Sequence, residues 1–161
     1  MGNMPQATSH RYWLVKSEAN CYSIDDLKRD KKTAWEGVRN YTARNFMRDS
    51  MKKGDLVLFY HSVEETGIYG LAKVASAPHA DESAFNKKDE HYDPKSKREA
   101  PTWICVDLAF VKKFNMPLSL AEIKINPAFS GMQLTMRGDR LSVQPVSEKH
   151  FMLALKKLEA R

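Results

Sequence analysis

Two β-rich runs near the middle of the chain lie too close together to be joined by a helix, and this constrains the fold more than any other feature. Residues 55–62 (DLVLFYHS) are followed, after Thr66-Gly67, by a second run from Ile68 to about Ala75. A connection this short and glycine-bearing closes a hairpin, whereas a parallel crossover needs a dozen residues or more. Three further runs read as strands: 12–16 (YWLVK), 103–111 (WICVDLAFV) and 141–146 (LSVQPV). In 103–111 the alternation puts Ile104, Val106, Leu108 and Phe110 on one face. Strands so spaced exclude repeated βαβ units. They predict the α+β class, with a mixed, curled sheet or small barrel flanked by short helices.

The helices are marked by their caps. Ser23-Ile24-Asp25-Asp26 has the spacing of a capping box with Asp in place of Glu, and predicts a short helix to about residue 29. Residues 33–37 read as a brief extended piece. Asn40 to about Met51 has helical spacing, with Lys53-Gly54 as its stop. Ser119-Leu120-Ala121-Glu122 is a full capping box opening a helix that Pro127 ends, and Ser147 caps a C-terminal helix to about residue 158. Residues 78–101, with Pro78, Pro94 and Pro101, form the longest irregular stretch, of a length commonly functional or mobile. Residues 1–10 read as a flexible leader, and 11–161 as a single domain without repeats or linkers.

Charge and motif content narrow the function. The chain carries 26 basic and 20 acidic residues, a net charge of +6, which favours an anionic partner and nucleic acid first. No apolar run is long enough to span a bilayer, and the leader has no apolar segment of the secretory type. Cys21 and Cys105 stand far apart and outside any metal-binding pattern, as expected of reduced cysteines in an intracellular protein. The five histidines form no zinc motif, and no phosphate-binding glycine loop or nucleophile elbow is present. His61 and Ser62 are adjacent on a strand and point to opposite faces, so they cannot pair as base and nucleophile. The expectation is a monomer with no cofactor, metal or membrane partner. It is intracellular, nuclear if the cell is eukaryotic and cytoplasmic otherwise.

The unusual stretch is 33–45 (TAWEGVRNYTARN), which gathers a Trp, a Tyr, two Asn and two Arg. Such a set suits a nucleobase, with aromatic faces to stack, amides to read an edge and guanidiniums for phosphate. The plainer reading makes Trp35 and Tyr41 core residues and the polar side chains helix caps. Asn40 in particular can read a base edge or cap the helix that follows. Lys16, Ser17 and the basic cluster Lys95, Lys97 and Arg98 add to the first reading. Arg39 and Arg44 join them as phosphate candidates. Tyr60, His61 and Ser62 stand at a strand end where a barrel opens, and Ser142 and Gln144 share the face opposite Leu141, Val143 and Pro145.

The sequence also resembles the EVE domains over nearly its whole length. The resemblance rests on YWLVKSE (12–18), YSIDDL (22–27), W-x-GVRNY-x-ARN-x-MR (35–48), MK-x-GDLVLFYHS (51–62), GI-x-G-x-A-x-V (67–74), YDPKS (92–96), W-x-x-VDL-x-FV (103–111) and RLSVQPV (140–146). It implies a PUA-like fold, a small mixed β-barrel with helices around it, related to the YTH and ASCH domains. It further implies a non-enzymatic reader of a modified base in RNA or DNA. By that similarity Lys16 and Ser17 lie at the nucleotide site and Trp35 is the stacking residue. The carbonyl of Glu36 would accept from the base's exocyclic amine. A second aromatic wall would come from Tyr92 or Tyr60, since Trp13 and Trp103 lie in predicted strands. The alternatives are a hydrolase acting on a nucleotide or RNA, for which His61 and Glu18 are the first residues to change, and a small-metabolite scaffold.

Overall fold

The computed structural model describes residues 11–161, so the leader expected over 1–10 lies outside the described residues. In chain order the elements are β1 (Tyr12–Glu18), α1 (Ile24–Asp30), β2 (Lys32–Ala34), α2 (Tyr41–Asn45), β3 (Leu56–Ser62) and β4 (Gly67–Val74). They continue with β5 (His79–Ala80), β6 (Ile104–Cys105), β7 (Asp107–Ser119), α3 (Leu120–Ile125), β8 (Val143–Val146) and α4 (Glu148–Glu159). The hairpin is there: β3 and β4 pair antiparallel. Six strands form one sheet in the order β2-β7-β4-β3-β1-β8, and β5 and β6 form a small second one. Its single parallel pair is β1–β3, and the connection between them carries α1, β2 and α2. The register shifts between Phe59 and Tyr60, between Ile68 and Gly70 and between Leu71 and Ala72. Irregularities of this kind bend strands, and the sheet curls into the half-barrel of the α+β class expected.

Both faces of the curled sheet are covered, which is why residues 12–15 of β1 and 56–60 of β3 are apolar without a break. On one face Trp13, Val15, Val57 and Phe59 pack with Ile24 and Leu27 of α1, Trp35, and Met47 beyond α2. On the other, Leu14, Leu58 and Tyr60 pack with Phe129, Ile123 of α3 and Phe151 of α4. Gly70 lets α1 approach β4: a Cβ there would sit 2.4 Å from Cδ1 of Ile24.

The caps at Ser23, Ser119 and Ser147 form as their spacing predicts, the first two as complete capping boxes. Two elements differ from expectation. The helix over 40–51 is α-helical only to Asn45 and then widens into a π turn, Phe46–Ser50, closed by Met51 N–H donating to the Phe46 carbonyl at 2.8 Å. This turn seats Phe46 against Trp13, ring centroids 5.4 Å apart. The strand over 103–111 is split at Val106. Ile104 and Cys105 pair with β5, and the chain then changes sheet, so the single apolar face holds only from Val106 through Leu108 and Phe110. Trp103 precedes β6, and β7 runs on to Ser119.

Candidate nucleic-acid-binding site

Where β1, β3 and the segment after β2 end together, the curled sheet leaves a cavity of about 580 Å³, within the roughly 300–1,000 Å³ of typical ligand pockets. Lys16, Ser17 and Glu18 reach it from the end of β1, and Ser62 from the end of β3. Thr33 through Arg39 form one wall, with Tyr22 beside them. Glu90 and His91 come from the long loop and Arg140 and Ser142 from the chain entering β8.

The wall at 33–39 is held by main-chain geometry. Trp35 N–H donates to the Val106 carbonyl and Glu36 N–H to the Ala34 carbonyl, both at 2.9 Å, a γ-turn centred on Trp35. The Trp35 ring is 8% exposed and sits edge-on between Tyr22 and Phe59, at 6.3 and 5.6 Å. Gly37 has φ +87°, and a Cβ on it would lie 2.8 Å from the His91 ring, so this position needs glycine on both counts. Its N–H donates to Asp81 at 2.9 Å.

Buried Asp81 organises the far side. It accepts from Ser83 and from Arg39 Nη1, the latter at 2.9 Å. The remaining Arg39 donors go to the carbonyls of Val38 and His91 and to Ser83 Oγ, and the guanidinium lies 5.0 Å from the Trp103 ring centre. Burial works against ionisation of Asp81, but the Ser83, Arg39 and Gly37 hydrogen bonds outweigh it and hold the carboxyl below its usual range. Lys16 Nζ is likewise paired, at 2.7 Å, with Asp139, whose side chain is 5% exposed. The two inner cations are therefore neutralised by the fold. The lining also carries the carboxyls of Glu18, Glu36 and Glu90. Burial, with the Asp81 charge, raises the pKa of Glu36. An interior whose cations are paired and which adds carboxyls suits an uncharged, hydrogen-bonding ring better than a phosphate.

The EVE domain family model matches residues 11–157. The chain belongs to the EVE-domain family. Its relatives include human thymocyte nuclear protein 1, 41% identical over 160 residues, 87% of this chain and 70% of that protein. A hypothetical protein of Leishmania major has the same structure at TM-score 0.91, with 44% identity over 96% of this chain and 98% of the other. The human THYN1 protein, solved in complex with 5-methylcytosine-containing DNA, aligns at TM-score 0.86 with 38% identity, covering 92% of this chain and 98% of that one.

Within this EVE domain the residues singled out from sequence separate. Trp35, Ser17, Glu36, Lys16, Arg39 and Ser142 meet at the cavity. Ser17 donates to the Tyr22 carbonyl at 2.5 Å, and Ser142 accepts Lys16 N–H on its carbonyl. Asn40 caps α2, accepting from Ala43 N–H at 2.9 Å, and does not line the cavity. Tyr60 lies in the core of the opposite face. Gln144 is wholly buried, donating to Asp139 and the Leu141 carbonyl while its Oε1 has no partner among the described residues. Ser142 and Gln144 part company because Ser142 precedes β8, where strand alternation has not begun. Tyr92 is half-buried and does not line the cavity, while its neighbour His91 does.

Arg44 donates to the Thr102 carbonyl and to Asn45, and lies over Tyr41. Arg98 pairs with Glu82, while Lys95 and Lys97 are exposed outside the cavity. His61 accepts Ile24 N–H at 3.1 Å and stacks on Tyr69, and burial lowers its pKa. Trp103 donates to Asp93 and stacks on Tyr41.

Tyr22, His91 and Arg140 were not singled out for the site in the sequence. Tyr22 stands just before the Ser23 cap, the position of a hydrophobic staple, and that signal points to packing. His91 and Arg140 lie in irregular segments with no periodicity to place them. No helix among the described residues is long and apolar enough to cross a membrane.

Proposed function

We propose that this EVE-domain protein binds nucleic acid and receives a modified nucleobase in the cavity at the ends of β1 and β3. The observation that carries the reading is the DNA complex of its human relative, a chain of the same fold solved with 5-methylcytosine. The pairing of the cavity's inner cations supports it. Trp35 and Tyr22 supply the aromatic wall. Ser17, Ser142 and the Glu36 carbonyl orient the base edge, and Arg39 acts from behind, bracing the wall against Asp81. Asn40, Tyr60, Tyr92 and Gln144 support the site from outside its lining. An intracellular setting, nuclear in a eukaryotic cell, goes with this reading.

The test is a binding titration with single- and double-stranded DNA and RNA, each with cytosine or 5-methylcytosine at one position. The wild-type chain should prefer the modified strand. Trp35→Phe should lose that preference while melting close to wild type. Trp35→Ala is the poorer probe, because emptying a site that is 8% exposed removes about 3–5 kcal/mol of stability. Equal affinity for modified and unmodified strands, or none for either, overturns the proposal.

A further inference from the structure

Arginine availability divides the molecule sharply. Of nine arginines, six have their guanidinium occupied: Arg29, Arg39, Arg48, Arg98 and Arg161 by carboxylates, and Arg44 by Thr102 and Asn45. Among the described residues the other three, Arg11, Arg137 and Arg140, have no such partner, and the last two flank a single Gly-Asp pair at the cavity rim. Arg140 lines both the base cavity and an adjoining groove of about 380 Å³. Arg137 and Lys124 line that groove and a third depression of about 530 Å³ beyond it. Among the described lining residues Asp139 is the only carboxylate in the first of these grooves, and it is paired with Lys16; the second has none.

The loop is also fixed in place. Gly138 turns the chain at φ +73°. Asp139 then points inward, accepting from Lys16 Nζ at 2.7 Å, Gln133 Nε2 at 2.9 Å, Leu141 N–H at 3.2 Å and Gln144 Nε2 at 3.1 Å. Four donors, from β1, β8, the preceding turn and the main chain at Leu141, hold this one carboxylate, while the arginines on either side of it are exposed. A buried anchor between two free guanidiniums is a preorganised anion-binding arrangement, and the planar guanidinium forks suit phosphodiester oxygens.

We propose that the 137–140 loop is the phosphate clamp of the nucleic-acid site, with Arg137, Arg140 and Lys124 of α3 gripping the backbone that flanks the base in the cavity. This rests on the base-reading proposal and adds the direction of the strand, across the α3 side of the sheet and away from the Lys95–Lys97 cluster. The chemistry divides accordingly: the cavity, its inner cations paired, reads the base, and the rim supplies the charge.

The experiment repeats the titration with 5-methylcytosine DNA across a salt series from about 50 to 200 mM. Arg137→Gln/Arg140→Gln should flatten the slope of log K against log salt by roughly 1 to 2 and weaken binding by about tenfold or more. Neither side chain has a partner among the described residues, so the variant's melting should match wild type. Trp35→Phe should lose preference for the modified base and keep most of the slope. A slope unchanged in the double arginine variant, or one that falls instead in Lys95→Gln/Lys97→Gln, overturns the clamp and leaves the base-reading proposal standing. A wild-type chain that binds no oligonucleotide overturns both.

Discussion

Two stretches of the chain bring arginines to the same cavity and use them in opposite ways. In 33–45, Arg39 and Arg44 have their guanidiniums committed to Asp81, to main-chain carbonyls and to aromatic faces. In 137–142, Arg137 and Arg140 are exposed while the carboxyl side chain of Asp139 between them is buried. By composition the first stretch looks like the binding segment. Its arginines are structural, their charges satisfied internally, and on the proposed reading the wall offers a ligand shape and hydrogen-bonding edges. The charge that can meet an anion sits on the second. A residue's chemical type thus sets what it can bind, and its competing partners set whether it is free to.

The contrast is broken most directly by swapping the same substitution between the two stretches. Arg39→Ala leaves buried Asp81 without its counterion and should cost about 3 kcal/mol. Arg137→Ala should stay within about 0.5 kcal/mol of wild type. Urea midpoints at neutral pH measure both, and equal losses would erase the distinction. Next in size, Asn40→Ala removes only a helix cap and should cost about 1 kcal/mol. Its preference for a modified base should survive, and loss of that preference at unchanged stability would return Asn40 to the base-reading set.

The smallest effect lies in the acid limb of the stability curve. Burial opposes ionisation of Asp81 and Asp139, but hydrogen bonds from Ser83 and Arg39 to the first and from Gln133 and Lys16 to the second outweigh it. Both carboxyls are held below the usual value. A depressed folded-state pKa contributes stability that is complete above the unfolded value, near 3.9 for Asp, and lost as pH falls through the folded one. Stability should therefore decline progressively below about pH 5. Asp139→Asn should flatten that decline and Arg137→Gln should not, as followed by thermal melts at stepped pH.

Much of the scaffold was legible before any coordinates. Ser23, Ser119 and Ser147 cap their helices through bonds to main-chain donors three residues on, and such contacts are written in local spacing. The hairpin between β3 and β4 follows from loop length. Local reading failed at Val106, where the alternation continues but the strand changes sheet, and after Asn45, where a π turn replaces the α-helical one. Both depend on which distant element each run meets. The site was legible in part: Trp35, Ser17, Glu36 and Ser142 meet at the cavity, while Tyr60 shows that a strand end facing a barrel mouth has two sides.

The sequence by itself determined the family, through many motifs in one order, and the helix caps, the hairpin and a continuous apolar run wherever both sheet faces are covered. These rest on neighbours a few residues away or on the plain demand that apolar surface be buried. Only the tertiary structure decided which charges are free. Lys16 finds Asp139 across 123 positions and Arg39 finds Asp81 across 42, and no local pattern encodes those pairings. Each pairing neutralises a cation that the sequence offers for binding. Each one left unmade, as at Arg137 and Arg140, leaves a guanidinium exposed at the rim.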